Sequence, residues 1–147
     1  MFKSILVATD GTTQSNQAVK TAATLATDMG ATLIVFHASR TYKSFYYPDG
    51  VALAWPPEDQ YLEKSSAGAD KVLTTASALA KKVGVTAKTA HSYSDSPAEA
   101  IIAAARKFKA DLIVMASHGR KGLDKLLLGS ETQKVLARTK LPVLVVR

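Results

Sequence analysis

The chain has 147 residues, 47% hydrophobic and 21% charged, which is enough for one domain with its own core and far from the profile of a disordered chain. It contains no cysteine, which excludes disulfide frameworks, thiolate metal sites and cysteine nucleophiles. The formal charge of +7 is localised: residues 1–100 carry nine Lys/Arg and nine Asp/Glu, whereas residues 101–147 carry ten and three. A field favouring an anionic ligand therefore belongs to the last third, although Arg106, Lys107 and Lys109 also read as a solvated helix face.

The first run, KSILVAT at 3–9, is too short an apolar stretch for a signal segment or a membrane span, and reads as the opening strand of a cytoplasmic protein. A helix is expected over 13–29, with Ala18, Ala22 and Ala26 for close packing and Gly30 to end it in a left-handed turn. TLIVFHA at 32–38 is the second strand. The connection over 39–56 is long and holds Tyr42, Phe45, Tyr46, Tyr47 and Trp55, so it serves either as a ligand lid or as a flap over a sheet edge or partner surface. A helix over 57–83 ends before Gly84, and VTAKTAH at 85–91 alternates as an edge strand does. SPAE makes Ser96 an N-cap, puts Pro97 at the first helical position and offers Glu99 for a capping box, opening a helix over 97–109. DLIVMAS at 111–117, a helix over 130–139 and PVLVVR at 142–147 complete the series. Four of the five strand runs are nearly continuous and rich in β-branched residues, as in buried parallel strands. Alternating strand and helix argue for a single α/β domain over 1–147, doubly wound around a parallel sheet.

In such a sheet, ligands sit beyond the carboxyl ends of the strands. Thr9 to Gly11, His37 to Ser39, His91 to Ser94 and Ser117 to Gly122 all fall at those ends and are expected on one rim. Gly119 and Gly122 allow positive φ and close backbone approach, Arg120 and Lys121 add charge, and Gly129 and Ser130 open a helix whose free N–H groups suit an anion. From these residues alone the loop is either a phosphate cradle or a glycine turn. Its spacing is neither G-x-x-x-x-G-K-[ST] nor G-x-G-x-x-G, so a P-loop ATPase and a dinucleotide site are not indicated. His37, His91 and His118 lack the spacing of a metal site. Ser117, His118 and Asp10 lack a nucleophile elbow, so a hydrolase triad is set aside.

ILVATDGT at the start, DLIVMASHGRKGLDKLLLGSETQKVL and the ending LPVLVVR together resemble the universal stress protein family over essentially the full length. The nucleotide-binding pattern of that family is G-2x-G-9x-G-[S/T]; here Gly119, Gly129 and Ser130 match it, and Ala116 stands at the first glycine. The resemblance implies a Rossmann-like five-stranded sheet of order 3-2-1-4-5 with helices on both faces. It also implies ATP as cofactor, with Mg²⁺ or Mn²⁺ carried by the phosphates. By position, Asp10 lies near the ribose or metal, Ala38 frames the adenine through its backbone and Met115 lines the base pocket. Gly119, Arg120, Gly129, Ser130 and Thr132 hold the phosphates. Asp10 also reads as an ordinary TDG turn residue.

The resemblance further implies a homodimer through the terminal strand Pro142 to Arg147, a pairing that would remove an exposed edge. The expected function is that of an ATP-binding stress-response regulator or sensor and at most a slow ATPase, since no general base is assigned. The alternative is a stress protein whose Ala116 disables the pocket and which acts through an unidentified protein partner. No membrane contact is expected, and nucleic acid ranks last for want of a reading motif.

Overall fold

The structure is a computed structural model that describes residues 1–53, 56–119 and 127–147. In chain order its elements are β1 (Ser4–Ala8), α1 (Thr13–Met29), β2 (Thr32–Ser39), β3 (Phe45–Tyr46), β4 (Ala52–Leu53) and α2 (Glu58–Lys82). There follow β5 (Lys88–Tyr93), α3 (Pro97–Lys107), β6 (Leu112–Ala116), α4 (Ser130–Arg138) and β7 (Val143–Val146). Five strands form a parallel sheet in the order β5-β2-β1-β6-β7, which is 3-2-1-4-5 counted along this sheet.

The continuous apolar runs follow from coverage of both faces. Ile5, Val7, Leu33, Val35, Leu112 and Val114 point toward α1 and α2. Their neighbours Leu6, Ile34, Phe36, Ile113 and Met115 point the other way, toward α3 and Val135 of α4. Period-two alternation therefore yields two cores, and a strand with a core on either side has no polar face to show. Ala18, Ala22, Ala23 and Ala26 of α1, all buried, let that helix lie close to the sheet.

Helix starts and stops follow local chemistry. Thr12 caps α1 by accepting from the Ser15 N–H at 3.2 Å, and Gly30 ends it at φ 63°. Ser96 caps α3 through the Glu99 N–H, but only half of the expected capping box forms, because the Glu99 carboxylate pairs with Arg138 instead. The helix expected over 97–109 stops at Lys107. Lys109, at φ 53°, takes the left-handed role usually given to glycine, and the Ala110 N–H closes onto the Ala105 carbonyl at 2.8 Å. The strand expected over 85–91 starts at Lys88, because the Val85 N–H is spent on the Ala80 carbonyl in closing α2.

The connection over 39–56 has structure of its own. Residues Phe45–Tyr46 and Ala52–Leu53 pair as an antiparallel hairpin around Tyr47 to Val51, with Gly50 at φ 83°. Its stems are tied down. The Tyr61 hydroxyl donates to the Arg40 carbonyl at 2.7 Å, the Tyr42 hydroxyl donates to the Pro56 carbonyl at 3.0 Å, and Asp95 accepts from the Thr41 hydroxyl. The Pro-Asp-Gly turn was the available signal for this hairpin. Trp55 lies outside the described residues.

Candidate functional site

Strand order reverses between β1 and β6, and there the carboxyl ends of two neighbouring strands lead away to opposite faces. At the end of β1, Asp10 Oδ1 accepts from the Thr12 N–H at 3.0 Å and from the Thr12 hydroxyl at 2.6 Å. This is the turn role read from TDG, and it holds the cap of α1. The other oxygen reaches across the strand boundary. A Cβ placed on Gly119 would stand 2.9 Å from Asp10 Oδ2. Asp10 and Gly119 therefore form two walls of one crevice, with the glycine leaving the room that the carboxylate needs.

On the α4 side, the Gly129 N–H donates to the Ser117 carbonyl at 2.7 Å. A Cβ at Gly129 would lie 3.2 Å from that carbonyl oxygen and 3.4 Å from His118 Cα. Both motif glycines thus serve close approach. The expected positive φ does not occur at Gly119: among the described residues the glycines with positive φ are 11, 30, 50 and 84, all at turns. Gly129 sits at φ −59° as the N-cap of α4 and offers no side-chain cap, so the first N–H groups of that helix, which starts at Ser130, have no capping side chain.

Thr132, for which the resemblance implies a phosphate contact, has its hydroxyl engaged within the protein. It is 3% exposed, and its hydroxyl donates to the Ala116 carbonyl at 3.0 Å, which spends its proton on pinning α4 to β6. Ala116 itself is a β6 residue paired with Val146, and its side chain is packed among the α1-side core. Met115, Ala8 and Ala38 belong to the opposite face, where small alanines at the ends of β1 and β2 border a buried methionine. Arg120 and Gly122 lie outside the described residues.

The histidines do not converge. His37 donates its Nδ1–H to the Thr9 carbonyl at 2.8 Å, which fixes its tautomer, and stacks on its cross-strand partner His91 at 5.8 Å. His91 Nε2 shares a hydrogen bond with Ser39 Oγ at 2.8 Å, and burial, then the neighbouring His37, pulls its pKa below the ordinary value against the opposing charge of Asp70. His118 turns to Ser117 instead, with Nδ1 3.0 Å from Ser117 Oγ, and its Nε2 is buried with no hydrogen-bond partner among the described residues. Among those residues no group of three His, Asp or Glu side chains gathers as a metal site.

The two close glycine approaches bring the end of β1, the segment after β6 and the uncapped start of α4 together at the switch point, where an anionic ligand is favoured by the helix N-terminus. Fold and crevice define a class of protein, the doubly wound α/β domain with a glycine-walled site at its switch point. More particularly, the chain belongs to the universal stress protein family, whose sequence profile matches residues 1–147. A universal stress protein of Thermus aquaticus, named for the QAH/OAS sulfhydrylase 3′ region, is 40% identical over 147 residues, the whole of both chains. A universal stress protein solved in complex with cAMP is 28% identical, with a TM-score of 0.69 over 99% of this chain and 97% of that one. The protein MJ0577 of Methanocaldococcus jannaschii is 27% identical, with a TM-score of 0.81 over 99% and 96%. Among the described residues no helix is long and apolar enough to cross a membrane.

Proposed function

We propose that this protein binds ATP in the β1/β6 crevice and acts as a cytoplasmic regulator or sensor module of the stress response, hydrolysing the nucleotide slowly or not at all. The observation that carries the reading is the close approach of Asp10, at the end of β1, to Gly119, beyond the end of β6, which only a residue without a Cβ permits. Ala38 and Met115 border the base, Gly119, Gly129 and Ser130 face the phosphates, and Asp10 faces the ribose or the Mg²⁺ or Mn²⁺ held by the phosphates. Thr132 acts one step back by fixing α4. When bound, the metal neutralises phosphate charge. Ala116 is compatible with this site, since its Cβ faces the other core and its backbone is ordinary strand. The relative solved with cAMP supports a nucleotide-sized ligand. Slow turnover is expected because no side chain is assigned as the base that would activate water.

A homodimer through Pro142 to Arg147 is part of the proposal. β7 is an edge strand of the sheet and Leu144 is exposed on it, so pairing would cover both. The rival reading, a protein-contact module without nucleotide, rests on the exposed Tyr47 and Val51 at the hairpin.

Protein purified without added nucleotide is denatured, any released small molecule is identified by mass spectrometry, and the emptied protein is titrated with ATP·Mg²⁺ by calorimetry. Released ATP or a micromolar titration is expected. The Gly119→Val variant, whose branched side chain would press on a movable carboxylate, is expected to lose about a hundredfold or more in affinity while keeping its fold. No ligand, no heat and no thermal shift would favour the protein-contact reading, and unchanged affinity in the variant would remove the site assignment.

A further inference from the structure

The rim opposite the crevice is basic. In a parallel sheet every crossover helix runs back, so helix C-termini and strand starts share one rim. Here that rim gathers Lys3 ahead of β1, Lys81 and Lys82 at the end of α2, Lys88 at the start of β5, and Lys107 and Lys109 around the end of α3, all of them exposed. The carboxylates there are Asp28 at the end of α1 and Asp111 at the start of β6, and the latter is tied to the Lys3 and Ser4 N–H groups. Four of these six lysines come from the first hundred residues, which are neutral as a sequence. Folding assembles the patch.

Helix dipoles account for Lys81, Lys82 and Lys107 at helix C-termini. They do not account for Lys3 and Lys88 at strand starts, nor for the exposed apolar side chains on the same rim. Met29 closes α1 at 37% exposure and Val83 follows α2 at 38%. Lysines by themselves would also meet the phosphates of a nucleic acid, but aliphatic tips among the ammonium groups add nothing to that contact. They do suit a lipid interface, where lysines meet anionic headgroups and short apolar groups enter between them.

We propose that this rim docks on the surface of an anionic lipid bilayer. The sequence expectation of no membrane contact rested on the lack of a spanning segment, whereas peripheral contact needs only this assembled face. Docking leaves the crevice on the far rim open to solvent, so a docked molecule can still exchange its ligand.

The test is co-sedimentation of the full chain with vesicles of phosphatidylcholine alone and with about one-third phosphatidylserine, at physiological ionic strength. Binding is expected to the anionic vesicles only and to weaken as salt rises. The double variant Lys81→Glu/Lys82→Glu is expected to lower the partition coefficient roughly tenfold or more, at about fivefold for each lysine lost. The pair Lys20→Glu/Lys64→Glu makes the same charge change away from this rim and is expected to lower it less than about threefold. Val83→Ser changes no charge and is expected to lower it about twofold to threefold. Equal binding to neutral vesicles, no binding to either, equal losses in both lysine pairs, or stronger retention on duplex DNA at the same salt would overturn the proposal.

Discussion

At the carboxyl rim the strands end in small and hydroxylated residues. Ala8, Thr9, Ala38, Ala116 and Ser117 lead to glycines that let β6 and α4 approach and keep space before Asp10. At the amino rim the strands begin beside lysines, and the backbone is closed by Asp111, whose two oxygens accept from Lys3 N–H at 2.8 Å and Ser4 N–H at 3.0 Å. One sheet thus presents an open rim and a sealed one. Strand direction explains the difference. Carboxyl ends meet the N-termini of the following helices, which favour anions, whereas amino ends meet helix C-termini, which favour cations.

The contrast can be broken most strongly at Gly129. A Cβ there meets a backbone carbonyl at 3.2 Å, which cannot step aside as the Asp10 side chain can at Gly119. Gly129→Val is therefore expected to cost about 2–3 kcal/mol in urea unfolding, as overpacking does, whereas Gly119→Val, which displaces a side chain held by Thr12, should cost about 1 kcal/mol. Equal costs would mean that the two glycines share one role.

Asp111→Asn tests the sealed rim. Burial raises the Asp111 carboxyl, but the N–H groups of Lys3 and Ser4 outweigh it and hold the pKa below the ordinary 3.8. Its contribution is fully present above the unfolded value and is lost as pH falls through the lower folded value. The variant should lose about 1 kcal/mol at neutral pH, the worth of hydrogen bonds to a charged acceptor discounted for solvent at this partly exposed site, and the gap should narrow below the ordinary carboxylate pKa. A gap independent of pH would contradict this.

Thr132→Val sharpens the account of the open rim. Removing the hydroxyl that binds the Ala116 carbonyl should cost about 1 kcal/mol, with Thr132→Ser restoring most of it. Nucleotide affinity, measured by calorimetry, should change far less than in Gly119→Val; a comparable loss would return Thr132 to the phosphates.

The smallest effect lies beside the crevice, at the stacked His37 and His91. Because His91 is held below the ordinary 6.5, the unfolded chain binds more protons than the native one around that pH, so native stability falls as pH drops through it. His91→Gln should flatten that acid-side decline in melting temperature, and an unchanged slope would assign the decline to other groups.

Much of this was legible in the sequence because it is local. Thr32 to Ser39 announced itself by a β-branched run, Ser96 and Pro97 by their order, and Gly30 by its place after an amphipathic segment. The end of α3 was not legible, because Lys109 adopts a left-handed conformation without the glycine that would signal it. The hairpin between β2 and α2 hid behind its aromatic residues, although Pro48, Asp49 and Gly50 marked its turn.

The elements, the alternation that makes a parallel sheet and the motif that places the chain in its family are written in short stretches of residues, since each depends on positions a few apart. Only the tertiary structure decided that Gly119 makes room for Asp10, that Thr132 anchors a helix and that lysines from a neutral segment join a basic rim. Those facts depend on which strand ends become neighbours. That adjacency is set by burial of both sheet faces at once and cannot be read from any single stretch of the chain.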